Sequence, residues 1–399
     1  MDDWSDTLRL VLLMNFVAPY RVSLFERLRD AVGELRVFIS TPMESDRFWA
    51  PEWGTLDVVV QRNLTVRRPD RDAAGFSRVL QIHLPYDTLP RLLRHRPDAV
   101  ISAELGPRSA QAALYKLLRP RTPLLLWCLL SEHSEKGWGR ARGALRRFIL
   151  RRADAVLVNG ESGARYIARF GVPDERIVRV NQPVDVARFA AARRTRPDGA
   201  ATRLLHVGSL TSRKGVVPFA ERLAAWARRH PSRALEVWWL GDGEQRAELD
   251  ALDWPANLRP VFLGNVPYAD VPGVYAECDV LVFPTLLDEW GLVVNEAMAV
   301  GLPVLGSIYS QAVDELVVEG ETGWRFDPLD EADVAAALDR ALGASPDALA
   351  AMRGAARRRI EGLTPEAAAR RIAGTVRALV GQSRGGTAGA VADRDGGRP

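Results

Sequence analysis

Short apolar runs rich in leucine and β-branched residues recur along this chain, each ending in small or polar residues and each followed by a stretch with helical periodicity. Such alternation predicts parallel strands covered by helices. In the first half, strands are expected near Leu8 to Met14, Leu35 to Ile39, Asp57 to Gln61, Ala99 to Ser102, Leu124 to Leu129 and Ala155 to Val158. A second series follows the polar, Arg/Ala-rich stretch 191–202, near Arg203 to Val207, Leu235 to Leu240, Val261 to Leu263, Val280 to Phe283 and Pro303 to Leu305. A chain of 399 residues exceeds the size at which one hydrophobic core keeps growing, so two series predict two domains.

The expected fold class is therefore α/β, with two Rossmann-like, doubly wound parallel sheets over residues 1–190 and 200–363. Asn181 to Asp185 and the stretch 191–202 read together as the interdomain crossing. Thr364, Pro365 and Glu366 supply the N-cap, N1 proline and early acid of a helix start, and that helix is expected over 364–381. Residues 382–399 are dominated by Gly, Ser, Ala, Arg and Asp and read as a disordered tail.

Charge and cysteine usage narrow the function classes. The net charge is only +4 and no nucleic-acid-binding module is recognisable, which argues against nucleic acid as a partner. Lys116, Lys136 and Lys214 are the only lysines among 54 basic residues, a skew that reads as coding composition. Cys128 and Cys278 lie in apolar runs and read as small buried hydrophobes, compatible with a reducing cytoplasm. The apolar run near Leu8 to Val17 is broken by Arg9 behind an acidic start, so a signal peptide is not expected. No stretch approaches the ~18–20 apolar residues that span a bilayer, so any membrane contact would be peripheral. The segment 138–152, WGRARGALRRFILRR, interleaves six arginines with Trp138, Leu145, Phe148 and Ile149. It suits an anionic membrane face or an acidic acceptor carrier, and equally a packed helix with a solvated basic side.

Ligands of open α/β sheets bind at the carboxyl ends of the strands, so a cleft between two carboxyl edges is the expected site. His206 to Gly215, HVGSLTSRKG, follows the first strand of the second series. Its glycines permit close backbone approach, and Arg213 and Lys214 could hold a phosphate by charge; an ordinary turn with solvated cations is the alternative. In a chain that writes arginine almost everywhere, Lys214 suggests that a compact point charge is needed. Gly241 to Gly243, after the next strand, could touch phosphate or base, although G-D-G is commonly just a tight turn. In LLDEWGLVVNEAMAVGLP, Asp288 lies in a loop and Glu296 about two turns into a helix that begins near Gly291. Two acids so spaced can reach different parts of one extended polar ligand, while the amides of Gly291, Leu292 and Val293 at the helix start can hold its phosphate. In the first half, Asn15 to Arg21, NFVAPYR, follows the first strand, and Glu104 and His133 follow the fourth and fifth. A proline turn and a solvated histidine are the plain alternatives there. The D-x-D triplets Asp70 to Asp72 and Asp393 to Asp395 fall in a polar loop and in the tail, and no metal site is expected.

The loop acid, glycine and helix acid, followed by Ala297-Met298-Ala299 and Gly301-Leu302-Pro303, resemble the E-x7-E signature of family 4 glycosyltransferases, retaining enzymes of the GT-B fold. Asp288 stands at the first acid position, and Glu289, out of register by one, reads as a bystander. Val207-Gly208 to Lys214-Gly215, Leu240 to Gly243, Phe262 to Val266, Asn181 to Asp185 and Thr322 to Trp324 match further family features in the same order. The resemblance implies a nucleotide diphosphate sugar as co-substrate, with no separate cofactor. It puts Glu296 on the ribose hydroxyls, Lys214 on the diphosphate, Val266 near the base, and Asp288 and His133 near the donor sugar. Gly208, Ser209, Arg213, Gly241, Trp290 and the amides of Gly291 to Val293 complete the implied donor set, with His133, Lys214 and Asp288 as catalytic candidates. Asn15, Pro19, Tyr20, Arg21 and Glu104 would line the acceptor side, and the last helix would return to the first domain. Ser209 departs from the arginine that usually follows the loop glycine, so Arg213 would have to supply the second charge or leaving-group stabilisation would be weaker. The implied reaction is sugar transfer, with retention, to a glycan, a lipid-linked carrier or a small molecule at or near the inner membrane face. A nucleotide-sugar epimerase and a non-catalytic nucleotide-sugar-binding partner of another transferase are the rival readings.

Overall fold

The computed structural model of the protein describes residues 7–43, 52–71, 76–132, 134, 139–195 and 201–385. The chain divides into two compact units, one formed by residues up to 70, by 77–181 and from Pro365 onward, the other by 182–364 with the short segment 71–76.

The strands of the first unit are β1 (Leu8–Met14), β2 (Gly33–Ile39), β3 (Asp57–Val60), β4 (Asn63–Arg71), β5 (Ser77–Pro85), β6 (Ala99–Ala103), β7 (Leu124–Cys128), β8 (Ala155–Val158) and β9 (Ile177–Arg179). Seven of them form a parallel sheet in the order β3-β2-β1-β6-β7-β8-β9, and β4 pairs with β5 in a separate small sheet. β1 shows why its sequence is almost continuously apolar. Leu8, Leu10, Leu12 and Met14 enter a core shared with the helices Pro19–Val32 and Pro365–Gly385, while Val11 and Leu13 enter a second core on the other face. A strand covered on both sides has no solvent-facing alternate positions.

The last helix groups with the first unit and runs to Gly385, past the 381 read from the sequence. Ala369, Ile372, Ala373, Val376 and Val380 form its buried stripe, and Arg384 pairs with Asp98 at 3.1 Å, an anchor that composition alone could not reveal. The rest of the expected tail, 386–399, lies outside the described residues.

In the second unit β10 (Thr202–Val207), β11 (Leu235–Leu240), β12 (Leu258–Gly264), β13 (Val280–Phe283), β14 (Val304–Ser307) and β15 (Gly323–Phe326) make one parallel sheet in the order β12-β11-β10-β13-β14-β15. β12 is longer than expected because Pro260, which reads as a strand breaker, sits on an edge strand where no ladder N–H is required of it. β4, β5, β9 and β15 were not expected: β9 has three residues, and β4 carries proline and arginines. The packing boundary falls at Asn181, ahead of the expected 190, because the five-residue helix Val186–Ala190 buries Phe189 completely among the second unit's aromatics.

Candidate functional site

In the second sheet β10 has β11 on one side and β13 on the other, so the connections leaving β10 and β13 diverge and open a crevice at their carboxyl ends. The two most suggestive stretches of the sequence are the loops that follow these two strands. The loop after β10 is laced to its neighbours: Gly208 N donates to Leu240 O (2.9 Å), Leu210 N to Asp242 O (2.9 Å), and Gly241 N to Gly264 O (2.8 Å). Gly241 adopts φ +128°, and a Cβ there would lie 2.1 Å from Gly208 O. Its glycine is therefore required by the passage of the neighbouring loop.

Lys214 ends the short 3-10 turn Ser212–Lys214, and its Nζ binds Asp288 Oδ2 directly while lying 5.2 Å from the Phe283 ring centroid. Asp288 Oδ1 also accepts from Trp290 N at 3.3 Å. Burial alone would raise the Asp288 pKa, but the Lys214 ammonium, with Arg213 behind it, outweighs burial and holds it below the usual range. Arg213 Nη1 donates to Leu287 O at 3.3 Å, while Ser209 is exposed. Beneath the loop, His206 is wholly buried against Trp239 (5.4 Å between ring centroids); burial first, and Lys214 second, push its pKa down to about 3, so it is neutral.

The helix Leu292–Val300 begins at Gly291, which has φ +101° and no room for a Cβ against Phe283 (2.7 Å) and Ser310 (2.9 Å). This glycine thus serves internal packing as well as the sharp entry into the helix. Among the described residues no acceptor faces the N–H groups of Gly291, Leu292 and Val293, which are therefore available to an anion. Trp290 turns inward, 2% exposed, with its Nε1 on Asn295 Oδ1 (2.9 Å), and Asn295 Nδ2 on Gln182 O (2.8 Å). Only its backbone borders the loop.

Glu296 is 7% exposed and accepts from two phenols, Tyr275 Oη on Oε2 at 2.8 Å and Tyr268 Oη on Oε1 at 3.4 Å. Burial raises its pKa to about 7, the two hydroxyls and Arg188 opposing the rise. Tyr268 stands two residues after Val266, so the loop expected near a base also reaches the expected ribose acid. Neither tyrosine, nor Arg188, was singled out from the sequence; a short helix carrying Arg188 and tyrosines 21 and 28 residues before the acid leave no periodic signal.

In the first unit, the equivalent switch lies between β1 and β6. Asn15, after β1, accepts on Oδ1 from Arg108, which also donates to Ser40 Oγ (3.1 Å). Arg108 is 5% exposed and was missed by the sequence reading, though it directly follows the N1 proline of the helix Pro107–Leu118 with no acid beside it. Glu104, after β6, is exposed with φ +67°, a conformation uncommon outside glycine, and its carbonyl accepts from Ser109 Oγ. Pro19 opens the helix Pro19–Val32, Tyr20 is exposed, and the Arg21 guanidinium lies 5.5 Å from the Trp127 ring centroid. Asn15 and Glu104 therefore share one strand edge through Arg108 and Ser109. His133 and Trp138 lie outside the described residues, as do Asp72 and 393–395. Of the six arginines in 138–152, Arg146 is buried beneath Tyr166, so it does not belong to a solvent or membrane face. Among the described residues no helix is long and apolar enough to cross a membrane.

Two family descriptions fit the chain in turn: a "Glycosyl transferase 4-like domain" over residues 17–183 and "Glycosyl transferases group 1" over 201–344. The sequence is 30% identical over 258 residues to a glycogen synthase of Mycobacterium tuberculosis, covering 62% of this chain and 60% of that one. It is 29% identical over 207 residues to a D-inositol 3-phosphate glycosyltransferase of Corynebacterium kroppenstedtii, 48% of this chain and 46% of the relative. These matches span about half to three fifths of the length of the curated relatives. The fold resembles that of Anabaena HepE in complex with UDP, with a TM-score of 0.69 at 17% identity over 93% of this chain and 100% of the other. It likewise resembles the lipopolysaccharide outer core galactosyltransferase WaaB, with a TM-score of 0.70 at 14% identity over 93% and 99%. With both halves matched in order and two parallel-sheet α/β units in place, the chain belongs to the family 4 type of glycosyltransferases, with the GT-B fold.

Proposed function

We propose that the protein transfers a sugar from a nucleotide diphosphate sugar to an acceptor hydroxyl with retention of configuration. The observation that carries this reading is the grouping, around β10 and β13, of the Lys214–Asp288 pair, the unsatisfied amides of Gly291 to Val293 and the buried acid Glu296. A diphosphate can exchange with Asp288 for the Lys214 ammonium and take the helix-start amides, which stabilise the negative charge that develops as the sugar leaves. Asp288, released, would face the donor sugar, and the ribose would fall to Glu296. No divalent metal is used in this scheme: Lys214, Arg213 and the amides carry the positive charge, with Ser209 contributing none. The crystallised complexes of HepE with UDP and UDP-glucose support a donor of this class. The named relatives are synthases and transferases, which disfavours an epimerase or a non-catalytic partner. Thermal-shift measurement against a panel of nucleotide diphosphate sugars tests the donor site, since a bound donor stabilises the fold as its concentration exceeds Kd. Stabilisation by none of them sinks the proposal, and a product anomer inverted from the donor sinks retention.

The acceptor would meet the first unit at Asn15, Pro19, Tyr20, Arg21 and Glu104. A lipid-linked acceptor is supported by Leu114, Leu117 and Leu118, which are 42%, 53% and 58% exposed at the end of the helix Pro107–Leu118. Arg119 and Arg121 follow them, and Arg140, Arg142 and Arg147 are exposed on the helix Arg140–Leu150 packed alongside. Leucines set among exposed arginines fit an anionic lipid surface at the cytoplasmic face. Sedimentation with phosphatidylglycerol vesicles should fall several-fold on Leu117→Ser with Leu118→Ser; unchanged sedimentation would refute the contact.

A further inference from the structure

A carboxylate as buried as Glu296 must find hydrogen-bond donors inside the protein. Its two donors differ. Tyr275 is completely buried, braced edge-on by Phe189 (5.9 Å), and donates at 2.8 Å. Tyr268 is 41% exposed, sits in the loop after β12, and reaches Oε1 only at 3.4 Å, near the limit of a hydrogen bond. Its ring is flanked by Arg188, whose guanidinium lies 4.6 Å from the ring centroid and donates to Tyr268 O at 2.9 Å. Burial pushes both phenols up, so both remain proton donors at neutral pH. A carboxylate offers about four acceptor positions, and the two phenols use one on each oxygen. A phenol, unlike lysine or arginine, fills such a position without cancelling the charge.

We infer that Tyr275 is a positioning residue that holds the Glu296 carboxylate as an acceptor for a vicinal diol, and that Tyr268 is a displaceable stand-in for one hydroxyl of that diol. The inference rests on the donor-site reading and adds to it the two residues that prepare the acid. In the free protein Tyr268 keeps Oε1 satisfied; when a ribose enters, one of its hydroxyls replaces the long Tyr268 contact while Tyr275 stays. The charged and titratable groups facing Glu296 are Tyr268, Tyr275 and Arg188, with Asp185 beyond Tyr268 and Cys278 beyond Tyr275. Because Tyr275 stabilises the ionised carboxylate, its loss moves Glu296 protonation to higher pH.

Calorimetric titration of the full chain with UDP, GDP and ADP and with their 2′-deoxy counterparts, between pH 6 and 9, tests this. The wild type should bind a ribonucleotide about tenfold more tightly than its deoxy form. Tyr275→Phe should lose about tenfold for the ribonucleotide, bring the ribo-to-deoxy ratio toward one and shift the pH midpoint of binding upward. Tyr268→Phe should bind as tightly as the wild type or more so. A Tyr275→Phe protein with unaltered ratio and midpoint overturns the positioning role, and a tenfold loss in Tyr268→Phe overturns the stand-in, both leaving the donor site intact. Should Tyr275→Phe fail to fold, the wild-type titrations and Tyr268→Phe decide: a wild-type ribo-to-deoxy ratio of one overturns the diol acceptor that Tyr275 is held to position, and a tenfold loss in Tyr268→Phe overturns the stand-in. If no nucleotide binds the wild type, the donor-site reading falls and this inference falls with it.

Discussion

Asp288 and Glu296 are acids eight residues apart in sequence, Glu296 buried and Asp288 largely so, and the protein treats their charges in opposite ways. Asp288 is matched to a cation, Lys214, so its pKa falls although burial pushes it up. Glu296 is matched only to phenols, and burial carries it up to about 7. A charge already neutralised by a neighbour can be exchanged between partners, which is what a lysine shared between an aspartate and a diphosphate requires. A charge held by neutral donors keeps its attraction for incoming hydroxyls at the cost of native-state stability. One strand edge therefore contains an acid paired to a cation and an acid held by neutral donors, the contrast on which the proposed exchange at Asp288 and the proposed recognition at Glu296 rest.

The largest effect should come from breaking the pair on one side only. Lys214→Met leaves the largely buried Asp288 without its main partner, and removal of one member of such a pair costs up to the ~3–5 kcal/mol seen for fully buried ones. Adding Asp288→Leu should restore most of that loss in urea unfolding while donor turnover stays abolished. If the single variant is as stable as the wild type, the contrast between the two acids fails, since Asp288 would then need no cation.

The spacing of the two acids was legible in the sequence, and so were the parallel sheets from the alternation of apolar runs, because both are local patterns. Their environments were not. Lys214 is 74 residues from Asp288, and Tyr275 and Tyr268 are brought to Glu296 by the order in which β12 and β13 are laid around β10. The same holds for Arg108, 93 residues from Asn15. Gly241 and Gly291 illustrate a subtler failure: both were singled out correctly as special, yet the crowding that demands glycine comes from Gly208 O, Phe283 and Ser310. Spacing identifies which residues are unusual, and the fold determines what they are unusual for. Trp290 was grouped with the donor set by its position in the loop, but its indole completes an internal chain of hydrogen bonds through Asn295 to Gln182.

A smaller effect, of opposite sign for the two acids, is expected in the pH dependence of stability. For Glu296 the folded pKa of about 7 lies above the ordinary 4.5, so between these values the folded state binds more protons than the unfolded chain and stability falls as pH rises. Above pH 7 the full penalty, about 3 kcal/mol for a shift of this size, is in place. Asp288, held below 3.8, contributes stability that is present above that value and is lost as pH falls through its folded pKa. Glu296→Gln should thus gain stability over the wild type at pH 8 and gain little near pH 4.5, whereas Asp288→Asn should lose stability at pH 8 and lose less under acid. Urea midpoints of the two variants at both pH values check this. Curves that move in the same direction would mean that Glu296 is ionised and compensated like Asp288, and that the phenols hold it as firmly as a cation would.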